Sequence, residues 1–459
     1  MFHVKHSKKG GTTVNPSLNE GVFFILGEIV MLDINLFRTD ADIIRENIKK
    51  KFQDHKLPMV DEIIELDIEY RGLKTRADEL RGQRNSLSKE IGKLMGQKRI
   101  DEANSIKEQV QAFAKELEEI EQNEEPVFEK LQQLLMQIPN LIADDVPLGK
   151  DDSENVERSR HGEMVEKPFE VPYHVDIMES FDGIDLDAAR KVSGQGFYYL
   201  QKDVARLHSA VTAYARDFMI DRGYDYVIPP YMIRSHVVTG VMSFEEMENM
   251  MYKVEGEDLY LIGTSEHSMI GKFIDTINPE SKMPQRLTSY SPCFRKEVGA
   301  HGIEERGVYR IHQFEKQEMV IVCKPEESAA LFEEMYKNSV DYFRSLDIPV
   351  RVLECCSGDL ADLKHKSVDV EAWSPRQKKF FEVGSCSNLT DAQARRLKIR
   401  IDTKDGRVFA HTLNNTVVAP PRMLIAFLEN NLQEDGSVLI PEALRPYMGF
   451  KEKMVPISK

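Results

Sequence analysis

The chain of 459 residues is poor in cysteine and contains a single tryptophan. Its five cysteines are odd in number, and no two of them form a C-x-x-C pair. This pattern argues against a disulfide framework and a zinc site, so we expect no zinc and a reducing, cytoplasmic environment. The cysteines are Cys293, Cys323, Cys355, Cys356 and Cys386.

Long apolar runs and an excess of positive charge are also missing. No stretch approaches the roughly 18 apolar residues that a membrane-spanning helix needs, so we expect no membrane span. Lys and Arg number 61 against 77 Asp and Glu, which gives a net charge of −16. An acidic chain can bind nucleic acid only through a local basic patch. The length allows about two or three domains.

The common phosphate-binding motifs are absent. The sequence contains no G-x-x-x-x-G-K-[ST] loop, no G-x-G-x-x-G after a predicted strand, and no H-E-x-x-H. If the protein binds phosphates, arginines must hold them, because a guanidinium stays charged and can match phosphate oxygens with two hydrogen bonds.

Residues 1–30 differ from the rest of the chain. They begin basic and polar, and residues 21–30 are apolar except for Glu28. Three interpretations stay open: a disordered leader, a leader that is not native because the chain starts at Met31, and a signal peptide. The last lacks a convincing small-residue cleavage pattern.

Two long runs of apolar residues at alternating spacings of three and four follow, from Ile63 to Leu94 and from Ala103 to Ile138. A short polar turn near 96–101 separates them. This spacing predicts two helices of about 35 residues, each roughly 50 Å long, in an antiparallel coiled-coil hairpin over about 61–138. Pro126 predicts a kink or a break in the second helix.

The first helix of this hairpin is basic on an otherwise acidic chain. Residues 71–99 carry nine basic residues and three acids, whereas residues 101–130 carry ten acids and three lysines. Two interpretations stay open: a surface for an RNA backbone, or solvated flanks that pair across the hairpin. The candidate RNA contacts are Arg71, Lys74, Arg76, Arg81, Arg84, Lys89 and Lys93.

The stretch 287–321 predicts a strand, a glycine-bearing loop and a second strand from Val308 to Val322. Alternation would place Arg310, Phe314 and Glu318 on one face, with successive members roughly 13 Å apart. A cation, an aromatic plane and a carboxylate in line suit an elongated ligand with phosphate, base and amine parts. The alternative is a hairpin with a solvated charged face.

The remainder mixes helix and strand patterns and indicates an α+β domain with a largely antiparallel sheet. Residues 141–169 are polar and acidic and contain Pro and Gly, a composition that predicts a linker. Helices are predicted at Val204–Arg222 and Pro420–Asn431, and strands at Tyr224–Ile228, Leu259–Gly263 and Phe380–Cys386.

In this order the segments resemble the seryl-tRNA synthetases, a family of class II aminoacyl-tRNA synthetases, from Met31 to about Gly449. Residues 223–230 (GYDYVIPP) are similar to class II motif 1, residues 294–318 to motif 2, and residues 411–429 to motif 3 with its arginine, Arg422. Residues 264–266 resemble the T-x-E loop, and residues 381–388 resemble the E-x-x-S metal segment.

The resemblance implies an antiparallel sheet of the class II type, flanked by helices and preceded by the coiled-coil hairpin. It implies an N-terminal tRNA-binding domain at 31–140, a linker at 141–169 and a catalytic domain at 170–459. It further implies serine–tRNA ligation with ATP and Mg²⁺, a homodimer, and L-serine and serine tRNA as partners. Use of a selenocysteine tRNA stays open.

Site residues follow from the resemblance by position. Arg295 and Arg422 would be catalytic, and Phe314 would stack on adenine. The implied ATP contacts are Arg295, Lys296, Glu297, Arg310, Ile311, Phe314, Glu382, Val383, Gly384, Ser385 and Arg422, with Glu382 and Ser385 as Mg²⁺ ligands. The implied serine contacts are Thr264, Ser265, Glu266, Arg295, Glu318, Asn414 and Thr416.

The sequence departs from the family pattern at three places. His267 follows the T-x-E loop where the family more often has an apolar residue. Two interpretations stay open, a hydrogen-bond donor at the edge of the pocket and a structural histidine with satisfied hydrogen bonds, and we expect the second. Gly384 replaces a common serine, so any contact there would come from the backbone. Motif 3 lacks its glycines, which makes the direction of Arg422 the least secure expectation. The residues in their place are Asn415, Val417, Pro420 and Pro421.

Two other functions compete with tRNA ligation. The protein could activate an amino acid and load another acceptor, such as a carrier protein, although the long basic arm favours an RNA. It could also be a coiled-coil RNA-binding or scaffold protein with an inactive catalytic domain. The charged residues that the chemistry needs are all present, which argues against the scaffold.

Overall fold

A computed structural model of the chain describes residues 32–297 and 307–457. The predicted leader at residues 1–30 lies outside the described residues, as does the loop segment 298–306 inside the predicted hairpin.

Four helices form the N-terminal part: α1 (Ile34–Thr39), α2 (Ala41–Lys50), α3 (Leu57–Gly96) and α4 (Ile100–Leu135). The first two pack on the base of the last two through a small apolar core. Its buried members include Ile44, Ile48, Ile63, Leu131 and Leu135. The core therefore fixes the base of the arm formed by α3 and α4.

The predicted coiled-coil hairpin is confirmed, with helices of 40 and 36 residues joined by a short turn at 97–99. Ala77, Leu80, Leu117 and Ile120 are buried between the helices. The prediction of a break at Pro126 is wrong, because α4 continues through this residue. Proline removes only one backbone donor, and the packing of α4 along α3 holds the helix on both sides of it.

The elements that follow the arm form the rest of the chain. In order they are β1 (Val156–His161), α5 (His174–Ser180), β2 (Ile184–Asp185), α6 (Leu186–Ser193), β3 (Tyr199–Leu200), α7 (Lys202–Asp221), β4 (Asp225–Tyr226), β5 (Met232–Ile233), α8 (Ser235–Val241), α9 (Phe244–Met250), β6 (Tyr260–Leu261), α10 (Ser265–Gly271), β7 (Ile277–Pro279), β8 (Gln285–Phe294), β9 (Gln313–Cys323), α11 (Ser328–Arg344), β10 (Val350–Glu354), β11 (Lys366–Ser374), β12 (Lys379–Thr390), α12 (Ala392–Leu397), β13 (Arg400–Thr403), β14 (Gly406–Phe409), β15 (His411–Val418), α13 (Pro420–Asn431), β16 (Val438–Leu439) and β17 (Lys453–Met454).

Eight strands form the main sheet, in the order β1-β10-β11-β12-β15-β9-β8-β4. Neighbouring strands are antiparallel except β4 and β8, which are parallel. The helices α7, α11 and α13 pack against the sheet, and their apolar side chains belong to the largest core cluster. The predicted α+β class with a largely antiparallel sheet is confirmed.

Two predictions about irregular segments need correction. The expected linker at 141–169 contains β1, which pairs with β10 at the sheet edge. An edge strand that is exposed to water can be polar, so its amino-acid composition resembles that of a linker. The strand expected from Val308 begins only at Gln313. The amide of His312 donates to the carbonyl of Gly196, away from β8, so Arg310 lies before the strand.

Candidate active site

A cleft of about 430 Å³ opens over the middle of the main sheet. On β15, Asn414 and Thr416 line the cleft, whereas Asn415 between them donates to the carbonyl of Met335 in α11. Alternation along the strand therefore puts the cleft on the face opposite α11. The volume suits a small organic ligand.

Most of the predicted ATP and serine contacts converge on this cleft. Those that line it are Thr264, Glu266, Arg295, Glu297, Arg310, Ile311, Phe314, Glu318, Glu382, Val383, Gly384, Ser385, Asn414, Thr416 and Arg422. Two others do not line it. Lys296 turns its ammonium to the carbonyl of Glu248 at 3.1 Å, and Ser265 is fully buried in α10. Direct contacts of these two side chains with ligand are therefore not supported by the geometry.

Strand β9 supplies the centre of the cleft. Phe314, Lys316 and Glu318 share one face of this strand, as alternation predicts, and all line the cleft. Arg310 reaches the same cleft from the preceding turn, with its guanidinium 3.8 Å from the carboxylate of Glu297. The expected row of cation, ring and carboxylate is thus present, although strand geometry does not position the cation.

Arg295 is held in place from two sides. Its Nε donates to the carbonyl of Gly263 at 3.1 Å, and its guanidinium lies 5.3 Å from the centre of the Phe314 ring. Such a contact with a ring face is attractive for a cation. The hydrogen bond links the end of β8 to the T-x-E segment, so the arginine is fixed between the two halves of the cleft.

Glu318 is a buried residue of the cleft and lies next to a cation. Its carboxylate is 2.5 Å from the ammonium of Lys316, and both side chains are less than a tenth exposed. The hydroxyl of Thr264 donates to the same carboxylate at 3.2 Å. Burial raises the pKa of Glu318 to about 7, although Lys316 acts in the opposite direction.

Glu266 accepts its side-chain hydrogen bonds from neutral amides. Gln393 Nε2 donates to its carboxylate at 2.9 Å, and Asn414 Nδ2 donates to the other oxygen. The hydroxyl of Thr412 in turn donates to Gln393 Oε1 at 2.7 Å and so fixes which end of the amide faces Glu266. Burial raises the pKa of Glu266, and the Gln393 amide, the charge of Lys316 and the Asn414 amide oppose that shift.

The far end of the cleft carries Arg422 and Glu382. Arg422 donates to the Glu382 carboxylate at 2.9 Å and to its backbone carbonyl at 3.2 Å, and its guanidinium lies 4.9 Å from the Tyr309 ring centre. Burial has the largest single effect and raises the pKa of Glu382, but the charge and hydrogen bond of Arg422, together with the charges of Lys364 and Arg295, outweigh it and keep the pKa low. Arg422 therefore points into the cleft despite the missing glycines.

His267 is buried at the edge of the cleft and is neutral. Burial lowers its pKa to about 3, and the charge of Arg295 acts in the same direction. Its Nδ1 has no hydrogen-bond partner within the described part of the chain. The expectation of a fully satisfied structural histidine is therefore wrong on this point.

The sequence did not identify Lys316, Lys364 and Asp369, which line the cleft, or Gln393, which contacts Glu266. Lys316 could have been found, because it lies between Phe314 and Glu318 on the same strand face. Gln393 comes from α12 and carries no local signal. Lys364 and Asp369 also line the cleft, beside the predicted metal segment. Burial raises the pKa of Asp369 to about 6, with the negative charge of Glu382 adding to the shift.

The basic arm residues lie far along the chain from this cleft and divide into two groups. Arg76 and Arg81 pair across the hairpin with Glu116 and Glu121, at 2.7 and 3.0 Å. Arg71 bonds to Asp67, and Lys74 lies over the ring of Tyr70. Nearer the turn, the remaining three make no ion pair with any described residue. They are Arg84, Lys89 and Lys93.

Within the described ranges, no helix is both long and apolar enough to cross a membrane. All five cysteines are buried and unpaired. Cys355 lies close to the carboxylates of Asp359 and Asp369, with donor atoms within 4.8 Å of one another. A single thiol with two carboxylates is not the donor set of a structural zinc site, which is dominated by thiolates and imidazoles.

Comparison with known sequences gives two family matches. Residues 250–431 match the tRNA synthetase class II core domain (G, H, P, S and T), and residues 31–142 match the seryl-tRNA synthetase N-terminal domain. The serine–tRNA ligase of Methanospirillum hungatei is 40% identical over 92% of this chain and 100% of its own length. That of Methanocella arvoryzae is 41% identical over the same shares.

Solved structures agree with these matches. A crystal structure of seryl-tRNA synthetase from Pyrococcus horikoshii complexed with ATP is similar with a TM-score of 0.87 and 38% identity, covering 93% of this chain and 100% of that one. A crystal structure of the cytoplasmic serine–tRNA ligase from Naegleria fowleri in complex with AMP is similar with a TM-score of 0.83 and 30% identity. It covers 93% of this chain and 99% of that one. The chain therefore belongs to the seryl-tRNA synthetase family of class II aminoacyl-tRNA ligases.

Proposed function

We propose that this chain activates L-serine with ATP and transfers the serine to the 3′ end of serine tRNA. The observation that carries this proposal is the set of side chains that line one cleft. Arg295 over Phe314, the buried carboxylates of Glu266 and Glu318, and the inward-pointing Arg422 all line it. These groups match the phosphates, the base and the ammonium of the two substrates.

Activation needs no side-chain base. The serine carboxylate is already ionised and attacks the α-phosphorus of ATP, forming the mixed anhydride of seryl-adenylate as the bond to pyrophosphate breaks. The protein has to align the two groups and stabilise the charge that spreads over the phosphoryl oxygens. Arg295 would hold the carboxylate and the α-phosphate, Phe314 the adenine, and Arg310 and Arg422 the outer phosphates.

Selection of serine rests on the two carboxylates and their neighbours. Glu266 and Glu318 accept hydrogen bonds from the ammonium and the hydroxyl of serine. Alanine lacks the hydroxyl and would leave buried polar groups unpaired, which a site of this kind rejects. Rejection of threonine has to be steric, and Thr416 with Asn414 forms the nearby wall.

The residues at the phosphate end fit a magnesium ion. Glu382 and Ser385 both line the cleft and offer a carboxylate and a hydroxyl, and Mg²⁺ prefers oxygen ligands. These two residues would hold the ion, which neutralises phosphate charge when it is bound with ATP. Asp369 lies beside them as a further carboxylate.

In the transfer step the terminal hydroxyl of the tRNA attacks the carbonyl carbon of the seryl-adenylate. An ester forms, AMP leaves, and the hydroxyl proton is released. The arm contacts the body of the tRNA, as part of a tRNA-binding domain at 31–140 that precedes a catalytic domain. The cations Arg84, Lys89 and Lys93 support this contact, because they make no ion pair with a residue in the described ranges and can neutralise backbone phosphates.

The protein acts as a homodimer in a reducing cytoplasm. Motif 1 and the strand β5 that follows it leave large apolar side chains on the surface of the described chain, including Ile228 at 73% exposure and Met232 at 49%. Apolar groups this exposed favour a protein contact. Five buried free thiols suit a compartment without disulfide formation.

Amino-acid-dependent exchange of labelled pyrophosphate into ATP tests the proposal. Serine should support exchange, whereas threonine, alanine, glycine and cysteine should not. Charging of serine tRNA by the same preparation then tests the acceptor. Exchange with a different amino acid would change the substrate, and charging of a carrier protein instead of tRNA would change the acceptor. No exchange with any amino acid would refute ligase activity.

A further inference from the structure

The loop 359–364 connects the N-terminal helices with the active-site cleft. On its outer side, Lys51 after α2 donates to the carbonyl of Leu360 at 2.6 Å. Lys56 at the start of α3 pairs with the carboxylate of Asp362 at 2.6 Å. Each of these bonds joins two residues that are more than 300 positions apart in the sequence. The part of the chain that carries the arm therefore holds this loop in place.

The other side of the same loop forms a wall of the cleft. Asp359, Ala361, Leu363 and Lys364 all line it. Asn140, which follows α4, donates to the carbonyl of Leu363 at 3.1 Å, so the residue just before Lys364 is also tied to the end of the arm. The position of Lys364 in the cleft thus depends on contacts from the base of the arm.

Lys364 is a cation with no direct ion-pair partner among the described residues. It is half-buried, and its ammonium makes no ion pair within 4.0 Å of any described carboxylate. Burial works against its charge, but the carboxylates of Asp369, Glu382 and Glu246 raise its pKa above the ordinary value. The side chain is therefore charged at neutral pH. Because no carboxylate oxygen occupies the ammonium directly, it can donate to an anionic group of a ligand that enters the cleft.

The anions of the first step already have cations. Arg295 serves the serine carboxylate and α-phosphate, and Arg310 and Arg422 serve the outer phosphates, all from the sheet, its turns or α13. Lys364 comes instead from the loop that the arm domain holds. The remaining anion in the reaction belongs to the acceptor, whose body the arm contacts.

We propose that Lys364 binds a phosphate oxygen at the 3′ end of the tRNA and positions the terminal nucleotide for the transfer step. This inference rests on the proposed function, since it assigns a residue to the second half of the same reaction. It separates the two steps: activation uses the cations of the sheet, and transfer uses an additional cation on the loop at 359–364.

The test compares the two steps in Lys364→Met and Lys364→Arg variants of the full chain. Activation is measured as serine-dependent pyrophosphate exchange. Transfer is measured as the single-turnover rate from preformed seryl-adenylate to serine tRNA. Loss of a charge-assisted hydrogen bond should lower transfer by about tenfold to hundredfold more than exchange in Lys364→Met. Lys364→Arg keeps the charge and should restore most of the transfer rate.

Lys366→Met is the matched control. This lysine lies two residues further on, pairs with Glu354 at 3.0 Å and does not line the cleft, so its variant should keep the wild-type ratio of transfer to exchange. Thermal melting checks the fold of each variant. If Lys364→Met does not fold, Lys364→Gln, which keeps a polar side chain, takes its place in the same two assays.

Three results would overturn the inference. An equal loss in both steps would place Lys364 in activation. An unchanged ratio would remove it from transfer. A transfer defect that Lys364→Arg does not restore would indicate a role in folding the loop instead of a charge contact. Absence of serine-dependent exchange in the wild-type chain is a separate result, because it refutes the proposed function itself.

Discussion

Replacement of Glu318 by Gln tests whether an ionised carboxylate binds the serine ammonium. The side chain is almost fully buried, and burial raises its pKa to about 7, so its charge changes within the range in which the enzyme can be assayed. Above this pKa the carboxylate is ionised and can bind the ammonium. Below it, the group is neutral and binding weakens. Serine-dependent kcat/KM should therefore fall as the pH falls.

The size of the effect follows from the geometry. At a pH well above 7, Glu318→Gln replaces a charge-assisted hydrogen bond by a neutral one, which should lower kcat/KM for serine by roughly tenfold to hundredfold. One pH unit below the pKa only about a tenth of the wild-type carboxylate is ionised. The wild type then resembles the variant, and the ratio of their kcat/KM values should shrink by about tenfold between pH 8 and pH 6.

Pyrophosphate exchange at varied serine and fixed saturating ATP measures this ratio over that pH range. Glu315→Gln is the matched control, because Glu315 lies on the opposite face of β9 and pairs with His208 at 3.0 Å outside the cleft. Its variant should follow the wild-type pH profile. A Glu318→Gln variant whose deficit stays constant with pH would refute the titration argument, and a variant with normal serine kinetics would remove Glu318 from the pocket.

Three further outcomes are expected. Arg422→Lys keeps the charge but loses the planar fork, so KM for ATP should rise by about tenfold while KM for serine changes little, as measured by exchange kinetics. Gln393→Leu removes a buried donor from Glu266 and should raise KM for serine by roughly tenfold in the same assay. Lys89→Glu on the basic helix should weaken tRNA binding about threefold to tenfold at low salt, with less effect at high salt, whereas Lys115→Glu on the acidic helix should not.

The features that could be predicted from the sequence are set by local periodicity. The arm follows from apolar spacing alone, since each helix buries a stripe against the other. The helix Pro420–Asn431 has the bounds that its sequence predicts. Phe314 and Glu318 share a strand face because strand alternation does not depend on the rest of the fold.

The features that were missed depend on contacts between distant segments. Gln393 donates to Glu266 across 127 residues, and no spacing rule connects α12 with the T-x-E loop. Arg310 lies before its strand because the neighbouring His312 bonds to Gly196, which is also remote in sequence. Strand β1 is an edge strand only because β10 is there to pair with it.

The charge balance of the pocket explains why its two carboxylates have different partners. Glu318 has a cation at 2.5 Å, so the Lys316–Glu318 pair is neutral when both groups are ionised. Glu266 accepts hydrogen bonds from the amides of Gln393 and Asn414, which stabilise a carboxylate without cancelling its charge. Lys316, Glu318 and Glu266 together therefore carry one negative charge when all three groups are ionised, and a single ammonium group neutralises it. A second unpaired carboxylate would instead take up a proton at neutral pH, because two buried like charges raise each other's pKa.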